Sequence, residues 1–201
     1  SRRDTLVKKP LEDRFGETAI EIGEWTYEVH PVGDGLDLYE TAQSWTPFLS
    51  VGHARNAGRA LARLHSASAG YGAPARKAGT LVTSFKIFSC DDPWPKLTRH
   101  VEERPELRAY LVERDWLAET QETFLPLHNR LRRFLPVFQP LWTHNDFHGS
   151  NLFWSNSSSE AEVTDIIDVG LADRTTAIHD VATAIERNGV EWLQIHDTSR
   201  D

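Results

Sequence analysis

The chain has 201 residues, 39% hydrophobic and 26% charged, a balance that suits a soluble globular protein and excludes a disordered one. Its net charge of −8, from 30 acidic and 22 basic residues, argues against general nucleic-acid binding, which needs a basic footprint, and permits a cationic partner. No apolar run approaches the roughly 18 residues of a membrane span, no signal-peptide pattern opens the chain, and the single Cys90 fits a reducing cytosol, so a cytoplasmic protein without a membrane partner is expected.

Residues 18–29, TAIEIGEWTYEV, alternate apolar and polar on both sides of a glycine and predict a β-hairpin, with Ile20 and Ile22 on one face and Trp25, Tyr27 and Val29 on another. Pro31, Gly33 and Gly35 then break regular structure, so 31–40 reads as a linker. From residue 53 the period becomes helical, with Ala54, Ala57, Gly58, Leu61 and Leu64 on one face. Residues 66–105 are rich in Gly, Pro and Ser and give no clear period. Leu107, Tyr110, Leu111 and Leu117 suggest a second helix; Phe124, Leu127, Leu131, Leu135 and Phe138 mark a third, ending near Pro136 or Pro140. A polar cluster follows, then NLFW, a Ser-rich turn at 155–160 and EVTDIIDVG, which together predict a second hairpin. Ile178, Val181, Ala182, Ile185 and Trp192 give a final helix. The order is α+β with helices dominant, not the regular alternation of a doubly wound fold.

The polar cluster THNDFHGSN, residues 143–151, carries the chemistry. His144, Asp146 and Asn151 fit H-x-D-x-x-x-x-N, and Asp168 ends an apolar strand ahead of Gly170. Phosphoryl transfer asks little of a protein: a carboxylate near the acceptor hydroxyl, and oxygen ligands for magnesium on the phosphates. An aspartate on a loop can accept the proton, an asparagine five residues later can return a neutral oxygen, and a second aspartate supplies the anionic ligand that magnesium prefers.

HNDFHGSN with IIDVGLADRTTAIHDVATAIER resembles the aminoglycoside phosphotransferase family, within the protein-kinase-like superfamily that also includes choline kinases. The resemblance runs from about Val29 to Glu191 and includes AGRALARLH, similar to the first helix of that family's large lobe. It implies an ATP-dependent (or GTP-dependent) kinase with Mg2+, acting on a hydroxyl of a small molecule. By position, Asp146 resembles the catalytic base and Asn151 and Asp168 the magnesium ligands. His144 resembles a histidine that braces the catalytic loop, and Asp180 the aspartate that holds the loop's backbone; a helix N-terminal aspartate would also suit position 180. The fold implied is a protein-kinase-like large lobe at 41–201 with a catalytic-loop hairpin, preceded by a hinge at 31–40 and a small-lobe hairpin remnant at 1–30.

Three departures refine this reading. Position 145 is Asn, where regulated protein kinases usually carry arginine, and only twelve positions separate Asp168 from Asp180, too few for a peptide-docking segment. A small-molecule acceptor is therefore expected, with Asp173, Glu186 and Glu191 able to favour a cation. Val169 replaces the usual Phe. The stretch before the first hairpin shows no glycine-rich loop, and Lys8 and Lys9 stand beside Pro10 rather than in an apolar strand, so neither is assigned as the nucleotide lysine. The chain reads as cut at both ends, and by itself is expected to fold at least partly without being a competent kinase. Two other readings remain open. A metal-dependent hydrolase would use His144, Asp146 and His148, with Asp165 or Asp168 completing the site, while His53, His65, His100 and His128 look incidental. A catalytically inactive kinase-like binding module would keep the fold without turnover.

Overall fold

The computed structural model describes residues 6–76 and 84–192. A short hairpin of β1 (Ile20–Ile22) and β2 (Trp25–Tyr27) comes first, as its alternation predicts. Gly23, at φ +64°, makes the tight turn that pairs Ile22 with Trp25. Both faces of this hairpin are exposed. The segment at 31–40 is more than a spacer: Leu36 exchanges backbone hydrogen bonds with Trp154 at 2.8 and 2.9 Å, and Tyr39 is buried in the core.

The first long helix, α1 (Val51–Ser68), is capped by Ser50, whose side chain accepts the His53 N–H at 3.0 Å. Its buried face is rotated from the predicted one. His53, Asn56, Ala57, Ala60 and Leu61 face inward, while Ala54 and Gly58 are exposed. The reason is polar as much as apolar. Asn56 donates to the carbonyls of Glu160 and Ala161 at 3.1 and 2.9 Å, and His53 stacks on Trp154 with centroids 4.2 Å apart. Gly52 permits this approach, since a Cβ there would meet the Ser159 carbonyl oxygen at 2.2 Å.

The stretch that gave no period holds two helices, α2 (Ser84–Phe88) and α3 (Trp94–Glu102), in its described part. The expected second helix is divided: α4 (Pro105–Leu111) ends before Leu117, which belongs to α5 (Trp116–Leu131). Asp115 caps α5, accepting the Ala118 N–H at 3.4 Å, and this new start explains the division. A 3₁₀ stretch, Arg132–Val137, runs from α5 toward β3 (Pro140–Thr143).

Three two-stranded antiparallel sheets are present among the described residues. β3 pairs with β6 (Asp173–Thr176), a pairing that the strands' short, polar-rich sequences concealed. β4 (Leu152–Trp154) pairs with β5 (Val163–Ile166), the predicted second hairpin. Leu152, Trp154 and Ile166 anchor the core with Tyr39, Phe147 and Leu61; burying each large side chain contributes roughly 1.5–3 kcal/mol.

The last helix, α6 (Ala177–Gly189), forms where expected but presents a different face. Ile178 and Ile185 are exposed, and Trp192 lies beyond the helix end. Asp180, Ala184 and Asn188, spaced four apart, turn inward instead because they serve the loop at 143–151 (Asp180, Asn188) and the core (Ala184). Helices and small antiparallel sheets thus make a mixed fold in which helix dominates. Among the described residues no helix is long and apolar enough to cross a membrane. Most of the tail EWLQIHD, read from the sequence, lies outside the described residues.

Candidate active site

The polar loop between β3 and β4 is held from beneath by one carboxylate. Asp180, fully buried, accepts the backbone N–H of His144 at 3.1 Å and of Asn145 at 2.7 Å. His65, at the end of α1, adds a third contact at 2.8 Å. Burial pushes the Asp180 carboxyl up, but His65 and the two amides outweigh it and hold it below the ordinary carboxylate range. One side chain thereby joins α1, the loop and α6.

His144 is equally enclosed. Its Nε2 lies 2.9 Å from the Ile167 carbonyl oxygen, and its Nδ1 accepts the Asp146 N–H at 3.3 Å. With Nδ1 accepting, Nε2 is the nitrogen that donates to the carbonyl. Both nitrogens are therefore spent on the backbone, one next to Asp146 and the other next to Asp168. Asn145 takes a left-handed conformation, φ +64°, and its amide bridges to the Leu171 carbonyl at 3.1 Å and to the hydroxyls of Thr143 and Thr175. Asparagine tolerates this backbone better than most residues.

So braced, the loop presents Asp146. Its Oδ1 lies 3.1 Å from Arg187 Nε, an ion pair whose angle falls short of a hydrogen bond, leaving both atoms buried without a hydrogen-bond partner. Its Oδ2 lies 3.7 Å from His148 Nε2. Burial pushes the Asp146 carboxyl up, yet His148, Arg187 and His144 more than offset this and hold it below the usual range. An ionised carboxylate on an ordered loop is what a proton acceptor requires. Arg187 also lies over the Trp45 ring, 4.8 Å from its centroid, and Trp45 itself has φ +64°.

Asn151 folds back on the same loop, its Nδ2 donating to the Asp146 carbonyl at 2.9 Å. Its Oδ1 accepts no hydrogen bond from the described residues. Ile167 N donates to the Asn151 carbonyl at 3.0 Å, so Asn151 and Asp168 meet at one end of the β4–β5 hairpin. Asp168 is exposed, left-handed at φ +55°, and its Oδ1 accepts only the Gly170 N–H, at 3.3 Å. An amide oxygen and a carboxylate carried by residues at the same hairpin end are hard oxygen donors of the kind that Mg2+ takes. Asp168 also borders a cleft of about 990 Å³, walled by Val32, Phe153 and Ile167 on the apolar side and by Lys8 and Arg76 on the charged one.

Gly149 lets the loop pass beneath Tyr39, whose ring a Cβ would meet at 2.7 Å. Asn188 pins the turn, accepting the Gly149 N–H at 3.2 Å and donating to the Phe147 carbonyl at 3.0 Å.

The geometry removes support from the metal-hydrolase reading. His144 cannot join Asp146 and His148 around an ion while both its nitrogens are bound to backbone. Asp165 is buried and engaged elsewhere, accepting the Asp34 N–H at 3.1 Å with Lys8 at 3.5 Å. Among the described residues no group of three His, Cys, Asp or Glu could hold a metal ion. Nor are three of the other histidines incidental: His65 binds Asp180, His53 stacks on Trp154, and His128 bonds the Cys90 carbonyl at 2.8 Å. The carboxylates that sequence offered to a cationic partner are engaged in part. Asp173 pairs with Lys86, and Glu186 with Arg187 and the Trp192 indole N–H.

Arg187, Trp45 and Asn188 were missed by sequence reasoning. Arg187 stands in the quoted stretch ending in IER, but nothing local announces a contact with a residue 41 positions earlier. Comparison with curated proteins finds no match. The model of the phosphotransferase enzyme family does match, over residues 9–197, and the chain belongs to that family.

Proposed function

We propose that the chain is the base- and metal-bearing part of an ATP-dependent (or GTP-dependent) kinase that phosphorylates a hydroxyl of a small molecule. The observation that carries this reading is the convergence on one loop and one hairpin end. Asp180 and His144 fix the backbone; Asp146 sits on that loop with Oδ2 3.7 Å from His148; the backbones of Asn151 and Ile167 bond at the hairpin end, and the next residue, Asp168, borders the large cleft.

In this reading Asp146 receives the proton of the acceptor hydroxyl as the oxygen attacks phosphorus. Arg187 occupies Oδ1, so Oδ2 is the oxygen that takes the proton. Asn151 and Asp168 would hold Mg2+, which supplies charge neutralisation on the phosphates. The apolar wall of Val32, Phe153 and Ile167 suits a flat base, and residues 31–40 would act as the hinge beside it. The division into a remnant hairpin at 1–30, a hinge at 31–40 and a large lobe at 41–201 belongs to the same reading, as does a cytoplasmic location. The twelve positions between Asp168 and Asp180 support a small acceptor over a protein.

The test, made on the protein expressed from its whole reading frame, is transfer of labelled γ-phosphate, with Mg2+, to a panel of aminoglycosides, amino-alcohols and sugars. Transfer to at least one compound, abolished by EDTA and by Asp146→Asn, is expected. Folded protein that binds nucleotide with Mg2+ and transfers nothing to any acceptor would instead favour the inactive binding module.

A further inference from the structure

Among the described residues two cationic side chains, Lys8 and Arg76, line the cleft beside Asp168, and one of them has charge to spare. Lys8 contacts the Asp34 carboxylate and lies 3.5 Å from Asp165, so its charge is matched twice over. Arg76 is different. Its guanidinium donates to the carbonyl oxygens of Gly170 and, at 3.4 Å, of Ala172, both neutral acceptors. Its backbone N–H donates to Asp173, but that carboxylate is paired with Lys86. Among the described residues no ion pair cancels the charge on Arg76.

Its placement is equally specific. Gly170 carries the carbonyl that Arg76 grips and the N–H that Asp168 Oδ1 accepts at 3.3 Å. Arg76 and Asp168 therefore hold one turn from two sides and line the same cleft of about 990 Å³. A guanidinium has five donors in a planar fork. Two carbonyls engage one nitrogen here, which orients the fork and leaves its other edge for an anion.

We propose that Arg76 is the cation that binds the polyphosphate of the nucleotide in this cleft, which Asp168 also lines. The proposal deepens the kinase reading and rests on it for the identity of the ligand. The chemistry recognised is a condensed phosphate, whether attached to a nucleoside or not. Arg76 makes direct charge-assisted hydrogen bonds to phosphate oxygens, and Asp168 would hold a metal that supplies further charge neutralisation. This charge comes from the segment after α1, far in sequence from Lys8 and Lys9.

Calorimetry on the 201-residue chain tests it, using sodium tripolyphosphate, MgATP, MgGTP and adenosine as probes. Two variants separate charge from tethering: Arg76→Gln keeps a donor for the Gly170 carbonyl but loses the charge, and Arg76→Lys keeps the charge. Wild type should bind tripolyphosphate, with affinity falling as salt rises. Arg76→Gln should weaken tripolyphosphate and MgATP by about tenfold or more and leave adenosine unchanged, while Arg76→Lys recovers most of the loss. Equal tripolyphosphate affinity in wild type and Arg76→Gln would overturn the proposal, as would no tripolyphosphate binding by wild type. So would a matching loss for adenosine and MgATP in both variants, which would make Arg76 a staple of the turn. Arg76-dependent binding of tripolyphosphate without any gain from a nucleoside would leave Arg76 in place and remove the nucleotide reading instead.

Discussion

At the scale of single residues, Asp146 and Asp180 are two carboxylates of one motif with opposite duties. Asp146 is partly open and should matter to rate. Asp146→Asn keeps shape and, on the proposed reading, removes the proton acceptor, so turnover should fall by about 10²–10⁴, while the lost pairing with Arg187 lowers the melting temperature only modestly. Asp180 is closed in by three donors and should matter to stability. Asp180→Ala leaves two buried amides and His65 unpaired, at a cost of about 3–5 kcal/mol by urea unfolding. Because its folded pKa is depressed, this contribution is complete above the unfolded value of about 3.9 and disappears as pH falls through the folded value. Wild-type and Asp180→Ala stabilities should therefore converge in acid and stay apart above it. Their positions were legible in the sequence because the motif is local. The partners were not: His65 meets Asp180 across 115 positions, and Arg187 meets Asp146 across 41.

Among the elements, α1 shows how sequence period and packing part company. Its small residues suggested a face containing Ala54 and Gly58, yet polar bonds from His53 and Asn56 to residues 158–161 turn the helix. The two glycines of this helix give a sharp test. Gly58 has open space where a Cβ would stand, so Gly58→Ala should stabilise by about 0.5–1 kcal/mol through helix propensity. Gly52→Ala has the same intrinsic preference but places its Cβ 2.2 Å from the Ser159 carbonyl oxygen, so it should destabilise. Thermal melts with opposite signs check the pair; a stabilising Gly52→Ala would show that α1 does not dock as described. The hairpins were readable since alternation and turn residues coincide. The short helices at 84–111 were not, because pieces of five to nine residues offer too few turns for a period to emerge.

For the whole molecule, the expected linkage is between ligand and fold. On the proposed reading Mg2+ without nucleotide would have just Asn151 and Asp168 among the described residues to hold it, and should leave the melting temperature almost unchanged. MgATP should raise it, the gain being about 2.7 kcal/mol when ligand stands at a hundred times its dissociation constant. EDTA should reverse that gain, and Asp168→Ala should remove its magnesium dependence. Equal stabilisation of Asp168→Ala by ATP with and without magnesium would end the role given to Asp168. The broad architecture, a helical body with the β4–β5 hairpin after the polar loop, followed from motif order; the β3–β6 pairing did not, since the four polar-rich residues of β6 carry little strand signal.

The Asp180 junction also dictates the order in which the protein can be made. During synthesis α1 and then the 143–151 loop emerge before α6, and until residue 180 is available nothing holds the His144 and Asn145 amides. Long-range closure of this kind comes late in folding. A ribosome-tethered nascent chain halted before residue 180 should present the loop to a protease, and one halted well past 189 should not. The 143–151 loop is thus among the last parts of the molecule to acquire its form, and a half-made chain leaves Asp146 on a loop that nothing from α6 yet holds.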